Sequence, residues 1–295
     1  QFTDDELDTI NISQVHNQYR VKYGIPFPEE IKGVREKYGL SASKISAILG
    51  FGPNVYRLYE TGDMPSVSNG RLILSISQPE EFIRQVEASS HILSSKESIR
   101  YTEKARESEA KEKQDYWEKL FEQQIFQFDK PNEYSGYRKP DFNKISQVIS
   151  YFNDRIELYK TKLNKLLFYA DFTMYQRTGS SLTGIKYRAI PFGPVPAEYE
   201  KLYLKLQDDQ KIKIIEVGFD NGNFGELIKS DQKTKSEDFS KTEIKILEDI
   251  VNKFGGLTTK QVVDISHNEL AWIENKDERN VISYQKYAFA LQALS

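Results

Sequence analysis

His267 and Glu269, with Asp264 just upstream of the histidine, are side chains that could pass protons to and from a bound substrate. Such work needs companions, and no nucleophile motif, phosphate loop or paired carboxylate cluster accompanies them. A lone histidine near Trp272 reads instead as a structural residue. The chain has no cysteine, which removes disulfides, thiolate zinc sites and cysteine nucleophiles within these residues. His16, His91 and His267 are too few and too scattered for a histidine-rich metal centre. The expectation is therefore a protein without catalytic residues, metal or cofactor.

A second chemistry is recognition. Pro53 suits the first turn of a helix, and Val55, Leu58 and Tyr59 then fall at i, i+3 and i+4 as its inner face. That periodicity turns Asn54 and Arg57 outward, with Pro53 and Tyr56 beside them. Asn and Arg carry the forked geometry that matches adenine and guanine edges in the major groove. Helix-turn-helix proteins make such contacts from the start of their recognition helix. Ser41, Ser43 and Lys44, opening the preceding helix, suit backbone phosphates. The same residues also fit an ordinary three-helix packing unit with a solvated Asn and Arg, and periodicity leaves both readings open.

The elements that would position these groups follow from pattern. Residues 1–26 read as a helical lead-in, with Leu7, Ile10, Val15 and Tyr19 at roughly helical spacing and Thr3 and Glu6 as a capping box. The chain opens on Gln rather than Met, so a trimmed N-terminus is expected. Residues 27–77 read as a bundle of short helices. Ile31, Val34 and Tyr38 mark the first, Ile45, Ile48 and Leu49 the second, and Gly50-Phe51-Gly52 the turn before the third. Residues 78–136 are charge-dense and mixed in sign, and they predict an exposed helical connector that ends at the break between Pro131 and Pro140. A dimerising coiled coil is the alternative there, although no sustained heptad runs through it.

Residues 137–295 read as a second domain. Helices are expected over 141–153, 159–176, 241–253 and 283–294, with a short strand over 211–217 and a hairpin-type turn over Asp220–Gly225. Within the second of these helices Leu163, Leu166, Leu167, Ala170 and Met174 form one apolar stripe, and Phe168, Phe172 and Tyr175 lie on another face. A helix apolar on two faces is either fully buried or packed against a partner. The run from Ile190 to Pro196 is stiff and apolar, which suits a structural corner or a rigid presentation surface. Phe168, Phe172, Tyr175, Phe192 and Pro194 are accordingly the candidate partner-binding residues.

Composition sets limits on both readings. The net charge of −3 and isoelectric point near 5.9 leave no whole-chain basic footprint, so affinity for nucleic acid must be local or helped by dimerisation. No apolar run approaches the roughly 20 residues that a spanning helix needs, and no signal peptide opens the chain. A cytoplasmic protein with no membrane partner is the expectation.

Two resemblances sharpen these readings. Residues 31–62, and above all Gly52-Pro-Asn-Val-Tyr-Arg-Leu-Tyr-Glu-Thr-Gly62, resemble the XRE-type helix-turn-helix module of MqsA-like antitoxins. There the residue matching Asn54 reads bases. An Arg is usual immediately before the Tyr-Glu pair, where this chain has Leu58, with Arg57 one place earlier. Many relatives carry a two-Cys-pair zinc ribbon before the segment matching residues 1–26, and these residues hold none. The second resemblance is to the SocA-like Panacea domain. It rests on Leu163-Asn-Lys-Leu-Leu-Phe-Tyr-Ala-Asp171, on Ile190-Pro-Phe-Gly-Pro-Val-Pro196, on Leu257-Thr-Thr-Lys260 and on Ser266-His-Asn-Glu-Leu-Ala-Trp272, with Ala271 where the family usually has Pro. It implies an antitoxin domain that binds and neutralises a partner toxin, and in one relative delivers that toxin to a protease.

The expected architecture is thus mainly α: an XRE-like helix-turn-helix bundle, a helical connector and a mostly helical Panacea domain with a small β element. The expected function is that of a type II antitoxin that also represses its own operon, with toxin and operator DNA as partners and a homodimer as the assembly. A phage- or mobile-element transcription regulator, whose C-terminal domain binds a ligand or host protein, is the alternative.

Overall fold

The computed structural model describes residues 5–127, 130–219 and 222–294, with the side chains of residues 5–7, 117 and 236 left aside. Thr3 of the expected capping box, and Asp220 and Asn221 of the expected turn, lie outside the described residues. The fold is mainly α. No helix among the described residues is long and apolar enough to cross a membrane. The chain divides into two compact units, one comprising Ile12–Phe121 and the other the residues from Glu122 onward together with those up to Asn11.

Among the described residues the N-terminal half holds α1 (Asp5–Tyr23), α2 (Pro28–Lys37), α3 (Ala42–Ile48), α4 (Val55–Glu60), α5 (Val67–Ser75), α6 (Pro79–Ala88), α7 (Ser95–Gln114) and α8 (Tyr116–Phe126). Local chemistry sets several of their ends. The Ser41 hydroxyl accepts from the Lys44 amide at the start of α3, which satisfies one of the donors a helix start leaves orphaned. Ser94 and Glu97 form a reciprocal capping box on α7. Gly39 and Gly50 sit at φ +64° and +68° in the turns after α2 and α3, a backbone region that glycine enters without steric cost.

Two tyrosines tie this unit together. Tyr56 on α4 donates its hydroxyl to the Ile31 carbonyl of α2 at 2.7 Å, and its amide donates to the Ser46 hydroxyl of α3 at 3.0 Å. Tyr38 stacks on Phe82 with ring centres 3.8 Å apart and donates to the Ile76 carbonyl at 2.7 Å. Phe82, Val86, Leu93, Tyr101 and Ala105 belong to the same core as Ile31, Ile45 and Tyr56. The charge-dense stretch is therefore helical but not an exposed connector: α6 and the first half of α7 complete the packing of the preceding helices. Its apolar residues are sparse but spaced to form one stripe, and burial of that stripe outweighs the solvated charges around it.

The other unit contains α9 (Phe142–Asn153), β1 (Leu158–Tyr159), α10 (Lys160–Thr178), β2 (Tyr187–Ile190), β3 (Gly193–Pro196), α11 (Tyr199–Asp208), β4 (Lys213–Gly218), β5 (Phe224–Lys229), α12 (Lys241–Phe254), α13 (Thr259–Ser266), α14 (Leu270–Ile273), β6 (Val281–Ile282) and α15 (Tyr284–Tyr287). One antiparallel sheet runs β1-β5-β4 and the other β3-β2-β6. The corner expected at Ile190–Pro196 is the β2–β3 hairpin, with Arg188 opposite Val195 and Ile190 opposite Gly193. The helix expected over 283–294 stops at Tyr287 and continues as a single 3-10 turn over Ala288–Ala290. At the centre lies α10, whose residues from Lys162 to Tyr175 are all buried.

The packing of the charged stretch yields a direct test. Phe82→Ala should lower the stability of the Ile12–Phe121 unit by about 3–5 kcal/mol, the usual cost of emptying a buried aromatic site. Urea unfolding of the full chain measures it, and a midpoint equal to the parent's would contradict this packing.

Candidate functional site

Three of the four motifs of the second unit, those at Leu163–Asp171, Ile190–Pro196 and Ser266–Trp272, meet around one buried amine. Lys165, on the second turn of α10, is fully buried, and its Nζ donates to the Pro194 carbonyl of β3 at 3.0 Å. Burial lowers its pKa to about 7, because a charge is poorly solvated away from water. Gly193, beside it, has φ +94°. A side chain there would lie 2.7 Å from Lys165 Cε and closer still to the Ser266 hydroxyl of α13. Both backbone freedom and close approach therefore require glycine at this position.

The α13–α14 segment closes the same corner. The Trp272 indole donates to the Ile190 carbonyl at 2.7 Å, and the His267 ring stacks on Trp272 with centres 3.9 Å apart. Burial and then the neighbouring Lys165 charge push the His267 pKa below its ordinary value. Glu269 is buried too. Its carboxylate accepts from the Gln292 and Ala293 amides at 2.9 and 3.1 Å and from the Tyr169 hydroxyl at 3.3 Å. It pins the C-terminal segment to α10, while Asp264 is exposed. The three side chains that could have formed an acid–base group thus have separate surroundings, and His267 is held by stacking.

Further along α10, Asp171 accepts from the Thr183 amide, the Thr183 hydroxyl and the Tyr187 hydroxyl, each at 2.6 Å. Burial raises its pKa to about 6 in spite of these donors, which act in the opposite direction. Lys162 donates to the Gly255 and Leu257 carbonyls at 3.0 and 2.7 Å. Sequence reasoning passed over Lys162 and Lys165. The sequence shows Asn164 and Lys165 set among the apolar residues from Leu163 to Ala170, but it does not show the carbonyl that approaches the amine.

The candidate docking face on α10 is overturned. Phe168, Phe172 and Tyr175 are all fully buried. Phe172 stacks on Tyr284 at 4.2 Å, Phe168 meets Tyr187 edge-on at 5.6 Å, and Tyr175 packs against Tyr137 and Tyr284. The helix is apolar on two faces because the unit encloses it on both. Pro194 is buried as well, its carbonyl taken by Lys165. Phe192, at the hairpin tip, is 67% exposed and presents its ring outward.

In the other unit the nucleic-acid candidates divide. Pro53, Asn54 and Arg57 are exposed at the start of α4. Tyr56 is not available for recognition, since it is fully buried and bonded to α2, whereas Leu58 is 47% exposed. The inner face of α4 is centred on Tyr56 rather than on Leu58, because the tyrosine hydroxyl finds a buried carbonyl partner there. Ser41 is spent on the cap of α3 and lies 3.1 Å from the Ser43 hydroxyl. Lys44 is paired with Glu97 at 2.7 Å.

Residues 163–273 match the family described as Antitoxin SocA-like, Panacea domain. The matched stretch contains Lys165, Gly193, Pro194, Ser266, His267 and Trp272, the residues that meet at the buried corner. No curated protein and no solved structure matches the chain.

Two measurements follow. Unfolded lysine titrates near pH 10.4, so below about pH 7 the unfolded chain holds a proton at Lys165 that the fold disfavours, and this cost fades as the pH rises towards 10. Lys165→Met removes the titration, so its unfolding free energy should climb less than the parent's between about pH 7 and 9.5; parallel climbs would contradict the buried amine. Tyr175→Ala should cost about 3–5 kcal/mol as a core truncation, read by circular dichroism on heating. A variant with the parent's stability would contradict its burial.

Proposed function

We propose that this protein is a type II antitoxin: it neutralises a partner toxin by direct, non-enzymatic binding through the unit that carries the Panacea match, and it represses its own operon through α2–α4. The observation that carries the antitoxin reading is the match over residues 163–273, supported by the convergence of its motif residues on one corner. The non-enzymatic reading is supported by the engagement of Glu269 in structural hydrogen bonds and of His267 in a stack. Phe192 is an exposed ring on a rigid hairpin and is assigned to the toxin contact, where an aromatic anchor suits an interface.

For DNA, Asn54 and Arg57 are assigned to base edges, with α3 beneath them as support. The reading draws on their exposure and on the Tyr56 clamp, which fixes α4 against α2 and α3. Ser43 is assigned to a phosphate. Lys44 would first have to exchange Glu97 for the phosphate, so its contribution is small.

Co-expression with the product of the neighbouring reading frame tests the first half. The full chain should restore growth and co-purify with that product, and failure of both would overturn the antitoxin reading. Gel-shift titration of the promoter DNA tests the second half. Asn54→Ala and Arg57→Ala should each weaken specific binding by about 1–3 kcal/mol and leave non-specific binding nearly unchanged. Equal affinity of variants and parent would remove α4 from the recognition surface.

A further inference from the structure

The sheet β1-β5-β4 ends on an open edge. β4 pairs with β5 on one side and has no neighbour on the other among the described residues. The hydrogen-bonding phase of the hairpin follows from its tip, where the Phe219 amide donates to the Asn223 carbonyl at 2.8 Å. Pairs alternate from that point, so Val217 and Ile215 bond to β5. The amides and carbonyls of Ile214, Glu216 and Gly218 therefore point to the open edge. The far side of β5 agrees with this phase: the Ile228 carbonyl and the Ser230 amide point away from β4, to the Asn153 side chain.

The edge also carries an electrostatic mismatch. Glu216 stands directly opposite Glu226, and like charges in that position repel. Lys160 pairs with Glu226 at 2.6 Å, whereas Glu216 makes no ion pair with any described residue. Both glutamates line a groove of about 870 Å³ together with Tyr159, Phe219, Phe224 and Leu257. Phe224 is 71% exposed there.

We propose that an extended segment of the partner toxin adds to β4 as a fourth, antiparallel strand, with a lysine or arginine opposite Glu216. Open main-chain groups at alternate residues fit an extended backbone. Residues directly opposite one another point to the same face, so that basic side chain enters the groove beside both glutamates. A second copy of β4 lacks the required charge. Only its outward-bonding residues, Ile214, Glu216 and Gly218, can stand opposite Glu216, and none is basic. The inference rests on the antitoxin reading and adds the mode of capture to it; Phe192 remains a separate contact.

The test is hydrogen exchange at single amides on the full chain, alone and in complex with the product of the neighbouring reading frame. Exchange at Ile214, Glu216 and Gly218 should slow about tenfold or more in the complex. Glu216→Lys, which keeps the backbone, should weaken the complex about tenfold or more by charge opposition. Glu216→Pro, which removes one outward amide, should do the same with an unchanged circular dichroism spectrum. A complex that forms without protection of these amides, or that tolerates Glu216→Lys, overturns strand addition alone. Protection that appears with rising concentration of the chain by itself overturns it in favour of self-pairing. Absence of any complex overturns the antitoxin reading and this inference with it.

Discussion

A helix whose buried stretch, Lys162–Tyr175, carries two lysines and an aspartate has to find a partner for each of these polar heads, because an unpaired charge or amine in a dry core costs several kcal/mol. In α10 that requirement organises most of the unit around it. Lys162 needs the carbonyls at Gly255 and Leu257, Lys165 needs the Pro194 carbonyl, and Asp171 needs Thr183 and Tyr187. Each partner comes from a different connection, so the loop before α13, the β2–β3 hairpin and the segment leading into β2 are fixed by the helix they surround. Gly193 follows from the same demand, since only a residue without a side chain lets β3 approach the Lys165 stem. The corner built by Trp272 and His267 then covers the amine.

The N-terminal unit uses a different solution, with phenols rather than amines as its ties. Tyr56 and Tyr38 each bury a large ring and deliver a hydroxyl to a backbone carbonyl, Tyr56 to Ile31 within α2 and Tyr38 to Ile76 at the C-terminal end of α5. This lets short helices, none of them stable alone, hold a defined arrangement. Phe82 completes it from α6, and the charged surface of α7 is the solvated side of a helix whose inner side is core.

These two solutions bear on recognition in different ways. In the first unit the tyrosine clamp leaves the outer surface of α4, with Asn54 and Arg57, unoccupied by packing. In the second, the demand for burial withdraws the aromatic residues of α10 from the surface. The hairpins carry exposed features of their own, Phe192 at the tip of β2–β3 and the open edge and groove of β4–β5, beside single exposed side chains such as Leu204 on α11 and Phe289. The hairpin tip and the sheet edge thus lie on strands and turns, while the long helix supplies rigidity.

By itself the sequence determined the mainly helical class, most helix positions, the absence of cysteine chemistry and the segments whose motifs resemble a Panacea domain. These are local properties: hydrophobic period, cap residues, glycine turns and short motifs are legible residue by residue. It also showed that α10 is apolar on two faces, yet both enclosure and docking satisfy that pattern. Only the tertiary structure decided for enclosure, because Tyr284, Tyr187 and Tyr137 arrive from distant positions to cover Phe172, Phe168 and Tyr175. The same holds for Tyr56, whose burial depends on a carbonyl in another helix and outweighs the i, i+3, i+4 spacing that favoured Leu58. The role of Lys165 was likewise beyond reach, since a lysine in a helix is normally solvated and only the approach of β3 turns it into a buried donor. The open edge of β4 belongs to this second class, because strand pairing is a relation between segments and no single segment records it.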